Sequence, residues 1–246
     1  MYARLQLELK GENLSYRKSS NFHGVLMEQI DSDYAAKLHG NTVHPYSQFV
    51  TEIDGKMIWT VNTLNEEAYD KILVPLMKLK TFQLKNDLAV SVQSMNMTKT
   101  TDEELMSRFY NEKADRSITV NFLMPTAFKQ NGRYICYPDF SLLYGSLMRK
   151  YRAVMEMDSE IDQDTLEQLV AGSELTRYRL WTERFPMEGI NLTGYRGTMG
   201  IRLHGTDTMA AYVRMLMEFG EYSGIGIKTS LGMGAIQIGR YKKHDD

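Results

Sequence analysis

The stretch Tyr46-Ser-Gln-Phe-Val-Thr-Glu-Ile-Asp54-Gly55-Lys-Met-Ile-Trp-Thr-Val-Asn62 decides the fold. Two extended runs, Tyr46 to Ile53 and Met57 to Asn62, flank Asp54-Gly55, a dipeptide that favours the positive φ angles of a tight turn. The stretch therefore predicts an antiparallel hairpin. On its N-terminal side, Met1 to Lys10 alternates Leu5, Leu7 and Leu9 with Arg4, Gln6 and Glu8, the period of a half-buried strand. Between them Asn21 caps a predicted helix through Val25, Leu26, Ile30, Tyr34 and Leu38, and Gly40-Asn41 stops it. On the C-terminal side, Leu64 to Leu79 reads as a helix with Asn65 and Glu66 near its start. Thr81 to Met97 then reads as extended, with Leu88, Val90 and Val92 alternating. The order β-α-β-β-α-β is that of a ferredoxin-like unit, a four-stranded antiparallel sheet with both helices on one face.

The second half repeats the order without residue-level self-similarity. Polar Lys99-Thr-Thr-Asp-Glu-Glu104 and a short helix lead to a strand, Ser117 to Met124, and a helix, Asp139 to Met155. An acidic insertion, Met157 to Glu167, precedes strands at Thr176 to Arg184 and Tyr195 to Leu203. A helix from Thr208 to Phe219 and a strand from Ala235 to Tyr241 close the chain. The expected architecture is α+β: two tandem ferredoxin-like (RRM-like) domains with antiparallel sheets, residues 1–112 and 113–246, with the seam near residue 113.

The 246 residues, 43% hydrophobic and 24% charged, are those of a globular chain. One cysteine, Cys136, excludes an internal disulfide and a cysteine-rich zinc site. The N-terminus lacks the apolar core of a signal peptide, and no segment has the ~18 apolar residues of a membrane span, so a cytoplasmic protein without a membrane partner is expected. A net charge of −2 argues against indiscriminate coating of nucleic acid, and RNA binding would need a local basic patch. The 17 methionines read as core filler.

Gly224-Ile-Gly226-Ile-Lys228-Thr229-Ser230-Leu-Gly232-Met-Gly234 brackets a polar, basic centre with glycines. Glycine permits close backbone approach, so successive N–H groups can converge on phosphate oxygens, with Lys228 adding charge and Thr229 and Ser230 adding hydroxyl donors. A plain helix-to-strand connection is the other reading. The dinucleotide fingerprint is excluded because position 229 is threonine and a helix precedes the loop. The ATP-binding loop is excluded because Ile227, and no glycine, precedes the lysine. No cofactor is expected.

This loop, just before the last strand, resembles the C-terminal signature of the CRISPR repeat-processing endoribonucleases of the RAMP superfamily. Asn121-Phe-Leu-Met-Pro-Thr-Ala-Phe128, Tyr137-Pro-Asp-Phe140 and Gly194-Tyr-Arg-Gly197-Thr-Met-Gly200 support the resemblance, which spans nearly the whole chain. It implies a metal-free endoribonuclease acting on repeats in precursor CRISPR RNA, in which the 2′-OH attacks the adjacent phosphate and leaves a 2′,3′-cyclic phosphate and a 5′-OH. The implied partners are pre-crRNA and crRNA, a type III effector complex in passing, and a second copy of the chain. A noncatalytic crRNA-binding RAMP subunit is the alternative.

His39, in Lys37-Leu-His39-Gly40, resembles the family's catalytic histidine in position. A free imidazole titrates at about 6.5 and serves either proton role; a histidine at a helix C-terminus that simply meets the last carbonyls is the plainer reading. The family's supporting tyrosine falls at Met27 here, and Asn41-Thr42-Val43 holds no lysine, so Lys37 or His44 is the candidate for stabilising phosphate charge. His44-Pro45-Tyr46 also reads simply as a strand opening. A metal site from His39 and His44 is not expected, since no carboxylate or cysteine stands at ligand spacing. Lys228, Arg196 and Lys129 lead the RNA-facing residues, ahead of Arg133, Arg149, Lys150 and Arg202. His23, His204 and His244 receive no role.

Overall fold

A computed structural model of the chain describes residues 1–40, 42–85, 88–111, 115–157, 160–187 and 189–240. The seam at Lys113, the helix stop at Asn41, the end of the last strand at Tyr241, and His244 lie outside them.

In the first half β1 (Tyr2–Lys10) runs to α1 (Ser19–Gln29) and α2 (Ser32–Gly40). The hairpin follows as β2 (Tyr46–Ile53) and β3 (Lys56–Thr63), turning on Asp54 and Gly55 at φ of 51° and 77°. These angles are what the dipeptide predicts. Asn65 caps α3 (Glu66–Ala68) by accepting the Ala68 N–H. The helix continues through a wider π turn at Tyr69–Leu73 into α4 (Val74–Leu76), where Pro75 has no N–H to continue an α ladder.

Two sequence expectations are corrected here. The helix expected from Asn21 to Leu38 is two helices. Ile30 is extended (φ −100°, ψ 157°) and ends α1, while the Asp31 carboxylate accepts the Tyr34 N–H at 2.8 Å and starts α2. The extended segment Thr81 to Met97 is a second hairpin, β4 (Thr81–Leu84) with β5 (Leu88–Thr100). The first sheet therefore has five strands in the order β2-β3-β1-β5-β4, a ferredoxin-like sheet with one strand added at its edge. Leu5 and Leu7 face Phe22, Leu26, Trp59 and Leu76 in its core.

The second half opens with α5 (Asp102–Asn111), β6 (Ser117–Thr126) and a short hairpin, β7 (Phe128–Gln130) and β8 (Arg133–Ile135). Asp139 caps α6 (Phe140–Val154). Part of the expected acidic insertion is a helix, α7 (Gln163–Ala171), capped by Asp162 and anchored by Leu166 and Leu169. Strands β9 (Ser173–Met187) and β10 (Ile190–Leu203), helix α8 (Asp207–Ser223) and β11 (Ile236–Arg240) complete the order. The sheet order β11-β6-β10-β9 is the ferredoxin-like permutation. Its apolar face is covered by α6 and α8 through Leu143, Leu147, Leu216 and Phe219.

The halves join at the C-terminal end of α8. A helix leaves its last four carbonyls without intrahelical partners, and side chains from elsewhere bond them here. Arg4 donates to Glu221 O at 2.6 Å and Ser47 to Tyr222 O at 2.5 Å, while Lys150 donates to Ser223 O at 3.3 Å and Gly224 O at 3.0 Å. Asn62 braces Arg4 and Ser47. Below this clamp Phe49, Phe185 and Met233 share a small apolar cluster drawn from both halves.

Gly224, Gly226, Gly232 and Gly234 all have positive φ. At Gly234 a Cβ would lie 2.0 Å from Ile225 O, whereas at Gly132, also at positive φ, it would meet nothing within 4 Å. Gly234→Ala is expected to destabilise the protein by roughly 3 kcal/mol, as strain plus overlap. Gly132→Ala should cost only about 1 kcal/mol. Urea denaturation of the two variants measures the difference, and equal losses would refute the close approach.

Candidate functional site

The loop spends most of its backbone donors on holding itself in place. The N–H of Ile225 bonds Gly234 O, that of Gly226 bonds Ser146 Oγ, that of Ile227 bonds Ala127 O, and that of Gly234 bonds Pro125 O. Leu231 and Met233 both bond Lys228 O. These donors, expected to converge on a phosphate, point into the protein. Thr229 and Ser230 are buried: Thr229 Oγ1 accepts from Lys150, and Ser230 O accepts from Gln48 of β2. Lys228, left-handed at φ 58°, is the exposed residue at the loop's apex.

Beside the loop lies a cavity of about 610 Å³. His23 from α1, His39 from α2 and His44 from the segment before β2 form one wall. The other wall comes from Lys129 and Tyr134 of the β7–β8 hairpin, Arg149 and Lys150 of α6, and Lys228 to Leu231 of the loop. No carboxylate stands among its lining residues. The chain as a whole is slightly acidic, yet here it concentrates positive groups in one place, as phosphate binding needs.

Of the expected residues, His39, His44, Lys129 and Lys228 meet here together with Gly226, Thr229 and Ser230. Lys37 does not. It pairs with both Glu67 carboxylate oxygens at 2.6 and 2.7 Å, in a neighbouring cleft that it shares with Tyr34 and Asn65. Arg196 also lies elsewhere, in a groove on the open face of the second sheet with Trp181 and Arg179, stacked over Tyr16 and 3.6 Å from Glu183. Gly224, Gly232 and Gly234 shape the loop without lining the cavity. Sequence reading missed His23. An unbroken helix would set it about 160° around the axis and ~24 Å along it from His39; the break at Ile30 brings both to one cavity.

The electrostatics of the three imidazoles differ. Burial, then the charges of His44 and His39, push His23 down to about 4. His44 is lowered by burial and then by His39, Lys228 and Lys150, and its Nδ1 is buried without a hydrogen-bond partner among the described residues. His39 is exposed at the end of α2. Burial, and secondarily Arg149, push Lys150 down to about 7. Among the described residues no three His, Cys, Asp or Glu side chains are placed to hold a metal ion, and no helix is long and apolar enough to cross a membrane.

Two antiparallel ferredoxin-like sheets, clamped through one helix end and meeting at a cationic, histidine-walled cavity, make a double-domain protein. Comparison with known proteins gives the family. The family model for CRISPR-associated endoribonuclease Cas6 matches residues 120–236. The Streptococcus thermophilus CRISPR-associated endoribonuclease Cas6 is 37% identical over 217 residues, covering 88% of this chain and 89% of the relative. That of Mycobacterium tuberculosis is 35% identical over 222 residues, covering 89% and 70%. A solved Cas6 product complex superposes with a TM-score of 0.78 over 97% of this chain and 99% of that one, at 23% identity. The chain belongs to the Cas6 family of CRISPR-associated endoribonucleases.

The position of His23 has a measurable consequence. Between its unfolded value of 6.5 and its folded value of about 4, the unfolded chain binds a proton that the folded chain does not, so stability falls as pH falls through this window. His23→Gln removes the titration. Compared by urea denaturation at about pH 7 and pH 4.5, wild type should lose roughly 2–3 kcal/mol more than the variant. Equal losses would place His23 in water.

Proposed function

We propose that this Cas6-family endoribonuclease cuts within the repeats of precursor CRISPR RNA by a metal-independent route, with His39 and His44 sharing proton transfer. The carrying observation is that both imidazoles face one cavity with Lys228, Lys129 and Arg149, and no carboxylate among the lining residues would hold a divalent ion. The relatives named as Cas6 endoribonucleases support the substrate.

In this scheme the ribose 2′-OH attacks the adjacent phosphorus. Its proton leaves to a neutral imidazole as the O2′–P bond forms, and the P–O5′ bond breaks as a protonated imidazole delivers a proton to O5′. The products are a 2′,3′-cyclic phosphate and a 5′-OH. His44, held below the ordinary histidine range, is the base, and exposed His39 is the acid. The unpartnered, buried Nδ1 of His44 leaves Nε2 for the 2′-OH. Lys228 and Arg149 neutralise the charge gathering on the phosphate oxygens. Lys37, tied to Glu67, takes no step.

The two units are taken as 1–112 and 113–246, working in the cytoplasm, with RNA bound where they meet. Association with a type III effector complex and a homodimer rest on the resemblance alone.

Incubation of the protein in EDTA with its own repeat RNA should give one defined cut with a cyclic phosphate end, blocked by a 2′-deoxy sugar at that site. His39→Ala should slow cleavage by roughly 10²-fold or more with RNA affinity nearly unchanged. The acid limb of the kcat/KM profile should fall through a pKa below 6.5 and disappear in His44→Ala. Restoration of cutting only by added Mg²⁺ would refute the scheme, and tight binding without a cut would make this a crRNA-binding subunit.

A further inference from the structure

The β7–β8 hairpin stands at the cavity mouth, and proton transfer leaves it without a task. Its turn, Asn131-Gly132, has φ of 49° and 78°, the tight geometry that fixes register. Register pairs Phe128 with Ile135 and Lys129 with Tyr134. Because strand side chains alternate, the first pair points into the second core, where Phe128 is 4% exposed. The second pair points outward over the cavity, which both residues line. Tyr134 is 47% exposed, with Lys129 Nζ 5.8 Å from its ring centroid. A large apolar ring kept in solvent beside a cation, on a hairpin anchored from behind, is the arrangement that stacks an unpaired base while a lysine meets its phosphate.

We propose that Tyr134 and Lys129 form a nucleotide clamp: Tyr134 stacks on one unpaired base next to the scissile phosphate and Lys129 neutralises that nucleotide's phosphate, fixing which phosphodiester enters the histidine wall. This rests on the function proposed above and adds a recognition subsite to it. The stacking is indifferent to base identity but needs a base, since every base has a π face. Tyr134 is thus a residue that sets register along the RNA, and it carries no proton.

The test uses the full chain, its repeat RNA with a 2′-deoxy sugar at the cut, and copies of that RNA with one abasic site at each nucleotide flanking the cut. Tyr134→Ala should weaken binding of the intact RNA about tenfold, the loss expected for one base–aromatic stack, and Tyr134→Phe should bind as wild type. One abasic position should cost wild type a similar factor and cost Tyr134→Ala nothing further. Lys129→Gln should weaken all the RNAs alike and shallow the salt dependence by about one phosphate. Additive losses at every position, or unchanged affinity in Tyr134→Ala, would overturn the clamp. Failure of the underlying function shows separately, as wild-type protein that leaves unmodified repeat RNA uncut. The clamp stands or falls on the binding comparison in either case.

Discussion

The C-terminus of α8 is the constraint on which the architecture turns. A helix that ends inside a protein must find partners for its terminal carbonyls or lose the free energy of several hydrogen bonds. Arg4 and Ser47 come from strands of the first sheet and Lys150 from α6. The Arg4 guanidinium also meets the negative end of the helix dipole. The clamp fixes the chain's exit from α8, and therefore where the glycine loop begins. Cβ atoms at Gly226 and Gly234 would overlap the carbonyls of Ala127 and Ile225, so only glycine fits along this path. The loop resembles a phosphate cradle in sequence and serves in structure as a keystone that carries Lys228 to the cavity.

The lining of the cavity is electrostatically frustrated. His23, His39, His44, Lys129, Lys228 and Arg149 line it with no lining carboxylate to balance them, and burial first, then that mutual repulsion, lowers His23 and His44. A polyanion relieves it. In the mechanism proposed above, cleavage is confined to RNA because DNA has no 2′-OH to act as the nucleophile.

Much of the fold was legible because local chemistry decided it. Asp54-Gly55 dictates a hairpin, Asp139 and Asn65 cap helices, and the alternation of Leu5, Leu7 and Leu9 buries one face of β1. The break at Ile30-Asp31 was not read because the apolar spacing of Val25, Leu26, Ile30, Tyr34 and Leu38 runs through it without interruption. The signal present was Asp31 three residues before Tyr34, an N-cap in the middle of an apolar series. Missing that break also hid His23, since a straight helix sends it away from His39. The β4–β5 hairpin was overlooked for a related reason: Leu84 and Leu88 keep the alternation of a single strand across Lys85-Asn86-Asp87, itself a turn signal. For the site, residue types pointed to His39, His44, Lys129 and Lys228. Nothing local said that Lys37 would be taken by Glu67 or that Arg196 would face another surface, because those outcomes depend on partners distant in sequence.

The walls of the cavity belong to both sheets: α1, α2 and the strand opening at His44 on one side, the β7–β8 hairpin, α6 and the loop on the other. A ligand held between them gains its contacts only while the two halves stay docked, so its binding energy is added to the free energy of keeping them together. In the mode proposed above, an RNA seated there would act as a third structural layer, and the more tightly it is held the harder the two halves would be to pull apart.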